Sequence, residues 1–167
     1  FKQTIVINGV SKSYAMTGWR IGYTAGPTEV IKAMSSLQSQ VASGSNSIAQ
    51  YAAEEALRSP KGPEEIERMH KAYDERRRHI VSRLNAIDGL KCVMPKGAFY
   101  VMVDMSALIG KHLGDRKIAG SMDFADMLLE NANVALTPGT AFCAEGYCRI
   151  SYATSMEQID KGVDRIE

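Results

Sequence analysis

The segment Ser59-Pro60-Lys61-Gly62-Pro63 is the strongest interruption of regular structure in this chain, because it places two prolines and a glycine within five residues. Short apolar runs and two helical patterns precede it, and a long helical pattern follows it. We therefore expect two domains, residues 1–62 and residues 63–167. The 167 residues, of which 45% are hydrophobic, suffice for one sizeable core or two small ones.

The first part of the chain combines predicted strands and helices. Residues 4–7 form an apolar run without alternation, which is typical of a strand buried on both faces. Residues 19–25 predict a second strand, which Gly26-Pro27 ends. Thr28 is then expected to cap a helix whose apolar residues recur every three or four positions, and residues 48–57 predict another helix.

The second part has the pattern of a small α+β unit. A long helix is expected to stop at Asp88-Gly89 and to carry six apolar residues along one face: Ile66, Met69, Tyr73, Ile80, Leu84 and Ile87. Residues 98–104 alternate as a half-buried strand does, with Phe99, Val101 and Val103 on one face. Ser121 is expected to begin a helix, and residues 134–137 and 148–153 predict two more strands. A capping box at Ser155-Met156-Glu157-Gln158 predicts a last helix, whereas residues 110–120 predict a polar loop.

Charge and composition argue against several classes of function. A net charge of +1 gives no reason to expect nucleic acid or an anionic membrane as a partner. No apolar run reaches the roughly 20 residues that a membrane span requires. Three cysteines without CxxC spacing and three histidines in separate segments predict no metal site, and the cysteines are expected to be reduced in a cytoplasmic protein. The absence of an initial methionine suggests that the chain is the C-terminal part of a longer enzyme.

Lys12 and Arg20 suggest a phosphate-bearing aldehyde cofactor. Lys12 follows the first predicted strand and Arg20 lies at the start of the second, with a turn containing Thr17 and Gly18 between them. In open α/β sheets, ligands bind at the carboxyl ends of strands. A lysine amine there can form an imine, while an arginine and nearby hydroxyls, such as that of Ser11, can hold a phosphate. Considered alone, this spacing is equally compatible with a structural arginine and a surface lysine.

A longer motif resolves that ambiguity by resemblance. The motif is Ser11-Lys12-x-Tyr14-x-Met16-Thr17-Gly18-Trp19-Arg20-Ile21-Gly22-Tyr23. In this segment the chain is similar to class I/II aminotransferases. These are aspartate aminotransferase-like enzymes of fold type I, and they depend on pyridoxal 5'-phosphate. Further landmarks occur in the family's order: Gly26-Pro27, Ile48-Ala49-Gln50, Pro95-x-Gly97-Ala98-Phe99-Tyr100, Pro138-Gly139-x-x-Phe142 and Arg149-Ile150-Ser151-Tyr152-Ala153. The resemblance implies an α/β fold in which the C-terminal remnant of the large-domain parallel or mixed sheet precedes an α+β small domain.

The resemblance also implies roles for four residues. Lys12 would be the catalytic residue, forming the Schiff base with pyridoxal 5'-phosphate and shuttling the proton, while Ser11 and Arg20 would bind the cofactor phosphate. Arg149 would bind the α-carboxylate of the substrate. The full-length enzyme is expected to be a homodimer that transfers an amino group between an amino acid, with aspartate the leading expectation, and a 2-oxo acid.

Two other functions are compatible with the same residues. A carbon–sulfur β-lyase of the same fold shares the lysine and both arginines, and so does an aminotransferase-like sensor domain without catalysis. In the family, the groups that hold the cofactor ring precede the lysine, so this chain alone is expected to be inactive, with residues 63–167 as its chief folded part.

Overall fold

The computed structural model of this protein describes residues 2–167, which divide into two compact units. The first unit extends to Met69 and the second comprises His70–Glu167. The point of division lies inside helix α3 (Gly62–Leu84), which begins at the predicted interruption. Pro63 occupies the first turn of α3, where a missing N–H group is tolerated. The domain boundary between residues 62 and 63 remains a prediction.

The first unit contains two antiparallel strands and two helices. Strand β1 (Val6–Gly9) pairs with β2 (Gly22–Ala25), so that Val6 lies opposite Ala25 and Gly9 opposite Gly22. A side chain at Gly9 would place its Cβ atom 3.0 Å from the Ile21 carbonyl oxygen, so glycine permits this close approach. Helices α1 (Thr28–Ala42) and α2 (Ser47–Arg58) follow.

The elements of the first unit differ from their predicted positions. The strand expected at residues 4–7 lies at Val6–Gly9, and Ile7 is 77% exposed, so this chain does not bury both faces of β1. The strand expected from residue 19 begins at Gly22, because Thr17–Trp19 form a 3-10 turn and Arg20 has left-handed backbone angles. Thr28 does not cap α1, since it is already helical and Pro27 occupies the cap position.

The second unit is built on a four-stranded antiparallel sheet in the order β3-β4-β8-β7. Its strands are Lys91–Cys92, Tyr100–Asp104, Tyr147–Ser151 and Thr137–Pro138, respectively. Helix α4 (Ser121–Met127) continues into a π-helical turn, Leu128–Ala132, and helix α5 (Met156–Ile166) ends the chain. The side chain of Ser155 accepts a hydrogen bond from the Gln158 N–H at 3.3 Å, which confirms the predicted cap of α5.

One face of this sheet forms the core of the second unit. Val101 and Val103 of β4 are fully or almost fully buried, as the predicted alternation requires. They belong to a cluster with the inner residues of the helices: Ile80 and Leu84 of α3, Phe124 and Met127 of α4, and Ile159 and Val163 of α5. The opposite face of the sheet carries Tyr100, Met102 and Arg149, which alternate with the core residues along β4 and β8.

Three predicted elements of the second unit need correction. The long helix ends at Leu84 rather than near Ile87, and Gly89 then adopts a φ of 86°. Of residues 134–137, only Thr137 is in a strand, because the π-helical turn extends to Ala132 and the chain has few residues left to reach the sheet. Residues 110–120, expected as a loop, contain a small hairpin of β5 (His112–Leu113) and β6 (Arg116–Lys117).

No helix within residues 2–167 is long and apolar enough to cross a membrane.

Candidate active site

Ser11 and Lys12 lie in a turn whose two ends are fixed in the small core of the first unit. Val10 and Met16 are buried on either side of the turn and cluster with Ala53 of α2. The Tyr14 N–H donates to the Val10 carbonyl at 3.3 Å, and the Ala15 N–H donates to the Lys12 carbonyl at 3.1 Å. Lys12 is exposed and Ser11 is half-buried. The turn is therefore anchored through its apolar ends while the side chain of Lys12 is accessible.

Arg20 lies just before β2 and not within it. Its backbone is left-handed, with φ 56° and ψ 44°, and its guanidinium donates a hydrogen bond to the Thr17 carbonyl oxygen at 3.1 Å. Arg20 is exposed and precedes the strand, so its expected position at the start of that strand is wrong. The left-handed conformation explains the difference, since it cannot continue an extended strand.

Ser11, Lys12 and Arg20 share the connection between β1 and β2. Since Gly9 pairs with Gly22, residues 10–21 leave and re-enter the strand pair at one end. A hydroxyl, an amine and a guanidinium therefore belong to one short segment of the first unit. This donor set fits the aldehyde and phosphate of pyridoxal 5'-phosphate, because the amine can bond covalently to the aldehyde carbon and the other two can bind the phosphate oxygens.

Arg149, the fourth predicted site residue, lies in the second unit between two aromatic rings. It is half-buried on the outer face of β8, opposite Met102 of β4 and Thr137 of β7. The central carbon of its guanidinium is 4.2 Å from the centroid of the Tyr100 ring and 4.4 Å from that of Phe142. Both distances are within the range of cation–π contacts.

Two different features of the fold bring Tyr100 and Phe142 to Arg149. Tyr100 is paired with Ser151, so it lies diagonally across from Arg149 on the same sheet face. Phe142 ends a 3-10 turn, Gly139–Phe142, that follows β7 directly. A Cβ atom at Gly139 would lie only 1.9 Å from the Ala144 carbonyl oxygen, so this turn requires glycine.

Ser121 and Glu145 hold that turn against the start of α4. The fully buried Ser121 hydroxyl accepts a hydrogen bond from the Thr140 N–H at 3.3 Å. The Glu145 carboxylate accepts from the Ser121 N–H at 2.6 Å and from the Gly146 N–H at 3.1 Å. These hydrogen bonds lower the pKa of Glu145 below its ordinary value, and the bond from the Ser121 N–H has the largest effect.

The sequence motifs predicted no role for Tyr100 or Phe142. Each residue is the last position of a motif that carries the family resemblance, and this position is the sequence feature that could have indicated a role. Their contact with Arg149 depends on the register of β4 with β8 and on the turn after β7, neither of which the motifs specify. Among residues 2–167, no group of three or more histidine, cysteine or acidic side chains is placed to hold a metal ion.

Comparison with known protein families identifies one that spans the described chain. The profile of the family "Aminotransferase class I and II" matches residues 2–166. An aspartate/prephenate aminotransferase from Nitrosomonas europaea is 46% identical over 166 residues, and an aspartate aminotransferase from a Bacillus species is 47% identical over 165 residues. These alignments cover 98% and 99% of this chain, and the chain spans 41% of the length of each relative.

Solved structures of the same kind confirm the expected fold. The crystal structure of an aspartate aminotransferase from Rhizobium meliloti superposes with a TM-score of 0.94 at 44% identity, covering 99% of this chain and 41% of that protein. An aromatic aminotransferase from Pyrococcus horikoshii superposes with a TM-score of 0.87 at 40% identity, covering 99% of this chain and 42% of that protein.

Proposed function

This chain belongs to the class I and II aminotransferase family, and from that premise we propose that it forms the C-terminal part of a pyridoxal 5'-phosphate-dependent aminotransferase. The enzyme transfers an amino group between an amino acid and a 2-oxo acid. We assign residues 1–62 to the end of its large domain and residues 63–167 to its small domain. Relatives named for aspartate or for aspartate and prephenate support aspartate as the amino donor.

One observation carries the proposal. The family match covers residues 2–166 and includes Lys12, Arg20 and Arg149 together, each with a side chain that suits its proposed role. A lyase or a non-catalytic sensor could retain these residues too, but the relatives quoted above are named as aminotransferases.

Lys12 is the proposed covalent and proton-transferring residue. Pyridoxal 5'-phosphate, when bound, supplies an electron sink for negative charge at the substrate Cα. Lys12 Nζ would hold the cofactor through its aldehyde carbon, and its amine would accept a proton from the substrate Cα and return it. Ser11 and Arg20 bind the phosphate and thereby fix where the ring lies relative to Lys12.

Arg149 is the proposed residue for recognition of the substrate. Its planar guanidinium can bind the α-carboxylate through two parallel N–H···O bonds, which the single ammonium of a lysine cannot reproduce. Since every amino acid and every 2-oxo acid has this carboxylate, one arginine serves both halves of the reaction. A homodimer is the proposed assembly of the full-length enzyme.

The assignment of Lys12 can be tested by reducing the cofactor onto the protein. In the full-length enzyme that contains this chain, borohydride treatment after loading with pyridoxal 5'-phosphate should label Lys12, as found by peptide mapping. Lys12→Arg should abolish the labelling and lower kcat by at least about 1000-fold. The matched control is Lys32→Arg on exposed helix α1, which should change neither.

Labelling spread over surface lysines, with Lys12 unmodified, would contradict the assignment.

Product analysis distinguishes transamination from the alternative reaction, β-elimination by a lyase. An aminotransferase requires an oxo-acid acceptor, whereas a β-lyase releases ammonia and pyruvate from a cysteine-type substrate without one.

A further inference from the structure

Arg149 differs from several other arginines of the second unit in the partners of its guanidinium. Arg77, Arg83 and Arg116 form ion pairs with aspartate or glutamate side chains. Within residues 2–167 no carboxylate forms an ion pair with Arg149, and its guanidinium instead lies over the rings of Tyr100 and Phe142. Arg149 is therefore half-buried without having its charge neutralised by a neighbouring acid.

Contacts with ring faces leave the binding edge of a guanidinium available. The five N–H donors of arginine point outward in the plane of the group, whereas an aromatic ring attracts the cation through its face. A carboxylate partner within the protein would occupy the same N–H groups that a substrate carboxylate needs. Two rings restrict the motion of the side chain without consuming those donors.

We propose that Tyr100 and Phe142 are positioning residues that hold the Arg149 guanidinium in the orientation in which it binds the substrate carboxylate. This inference rests on the proposed function, because it takes Arg149 as the carboxylate-binding residue. Ordering of the side chain before binding removes part of the entropy loss that binding would otherwise cause. The rings thus act on the affinity for substrate through Arg149 and do not themselves touch the reacting atoms.

The two rings are held by independent parts of the fold. Tyr100 is fixed by the pairing of β4 with β8. Phe142 depends on the Gly139 turn and on the hydrogen bond between the Thr140 N–H and Ser121. Loss of either ring should therefore weaken substrate binding separately, and loss of both should weaken it further.

The test measures substrate binding in the full-length enzyme loaded with pyridoxal 5'-phosphate. Tyr100→Leu and Phe142→Leu should each raise KM for aspartate and for the 2-oxo acid about 3- to 10-fold, with kcat changed much less, because a contact made equally before and during reaction affects KM alone. Succinate, a dicarboxylate that cannot be transaminated, should bind more weakly by the same factor in a direct titration.

Two variants separate positioning from a general loss of structure. Tyr100→Phe keeps the ring and should restore most of the affinity that Tyr100→Leu loses. Tyr147→Leu removes a ring from the same face of β8, two residues from Arg149, and should leave KM within about 2-fold of the wild-type value. Thermal melting of every variant identifies any that fail to fold.

Arg149→Lys distinguishes failure of this inference from failure of the proposed function. If Arg149→Lys leaves KM and succinate affinity unchanged, the result contradicts both the role of Arg149 in substrate binding and the positioning role of Tyr100 and Phe142. If Arg149→Lys weakens binding but the leucine variants do not, the positioning role alone is overturned. It is also overturned if Tyr100→Leu has the same effect in the Arg149→Lys background as in wild type, because the ring would then act without the guanidinium.

Discussion

Gly139 occupies a position at which any side chain would collide with the backbone. A Cβ atom there would lie 1.9 Å from the Ala144 carbonyl oxygen and 2.4 Å from that of Tyr147. The colliding atoms belong to the main chain just after the turn that carries Phe142 and to the start of β8, and they cannot move as the end of a flexible side chain can. The residue is therefore required for the conformation of the turn and, through it, for the contact of Phe142 with Arg149.

We expect Gly139→Ala to lower the free energy of unfolding by about 2 kcal/mol or more, because the turn must open to admit the methyl group. The matched control is Gly162→Ala in α5, where a Cβ atom meets nothing within 4 Å. That substitution should stabilise the protein by about 0.5–1 kcal/mol through higher helix propensity. Urea denaturation measures both, and equal effects at the two positions would contradict the argument.

For single residues, sequence motifs predict the chemical type of a side chain more reliably than they predict its conformation and contacts. The motif around Lys12 predicted a turn, and the structure has one there. It did not predict the left-handed backbone of Arg20, because that conformation is rare for a residue other than glycine. Nor could it predict the rings against Arg149, since contacts across a sheet depend on a register that distant residues determine.

Among the elements of the second unit, α3 and α5 are joined by a network of charged side chains. The Asp160 carboxylate accepts hydrogen bonds from His79 at 2.5 Å and from Arg83 at 2.6 Å. Arg83 also pairs with Asp164. The hydrogen bond from His79, followed by the charges of His79 and Arg83, lowers the pKa of Asp160 below its usual value of 3.8. The network supplements the packing of Ile159 and Val163 against the core.

Because of this network, the stability of the folded protein should depend on pH in the acidic range. Because the pKa of Asp160 is lower in the folded protein than in the unfolded chain, its contribution is complete above the unfolded value of 3.8 and is lost as the pH falls through the folded value. Asp160→Asn should therefore lower the melting temperature at about pH 5, and the difference from wild type should shrink below about pH 4. Thermal melts across this range measure the effect.

Asp164→Asn provides the comparison for Asp160→Asn. Asp164 is 64% exposed and lies in the last turn of α5, where a negative charge is disfavoured by the helix dipole. Its removal should change the melting temperature little at any pH. A difference between wild type and Asp160→Asn that stays constant down to the lowest pH would contradict the predicted role of the Asp160 charge.

The elements with strong periodic patterns were the most predictable. The long helix α3, strand β4 and the capped helix α5 were expected from alternation, period and capping residues, and the structure contains each of them with shifted ends. The short strand β7 and the β5–β6 hairpin were not predicted correctly from the sequence, because a strand of two residues is too short to show a hydrophobic period.

On the scale of the whole molecule, the two units differ greatly in their buried cores. The cluster in the first unit consists of Val10, Met16 and Ala53, with a few partly buried neighbours. The second unit has a much larger cluster drawn from three helices and the sheet. Large apolar side chains of the first unit are strongly exposed in this chain: Ile7, Leu37, Val41, Ile48 and Tyr51, each between 66% and 77%. The first unit thus lacks most of the burial that stabilises a domain.

We expect the isolated 167-residue chain to show no measurable transaminase activity and to be unevenly stable. Amide hydrogen exchange should be slow in β4, β8 and the inner turns of α3 and α5, and fast throughout β1 and β2. The full-length enzyme is the control, and its β1 and β2 should be protected. Equal protection of both units in the isolated chain, or activity equal to that of the full-length enzyme, would refute this expectation.

Strands β4 and β8 carry core residues and the proposed substrate-recognition residues at alternate positions. Val101, Val103 and Cys148 are buried on one face, whereas Tyr100, Met102 and Arg149 occupy the other. Substitutions on the outer face can therefore accumulate during evolution without disturbing the packing beneath them. The same short strands can be inherited as a stable framework while ligand preference diverges at neighbouring positions in the sequence.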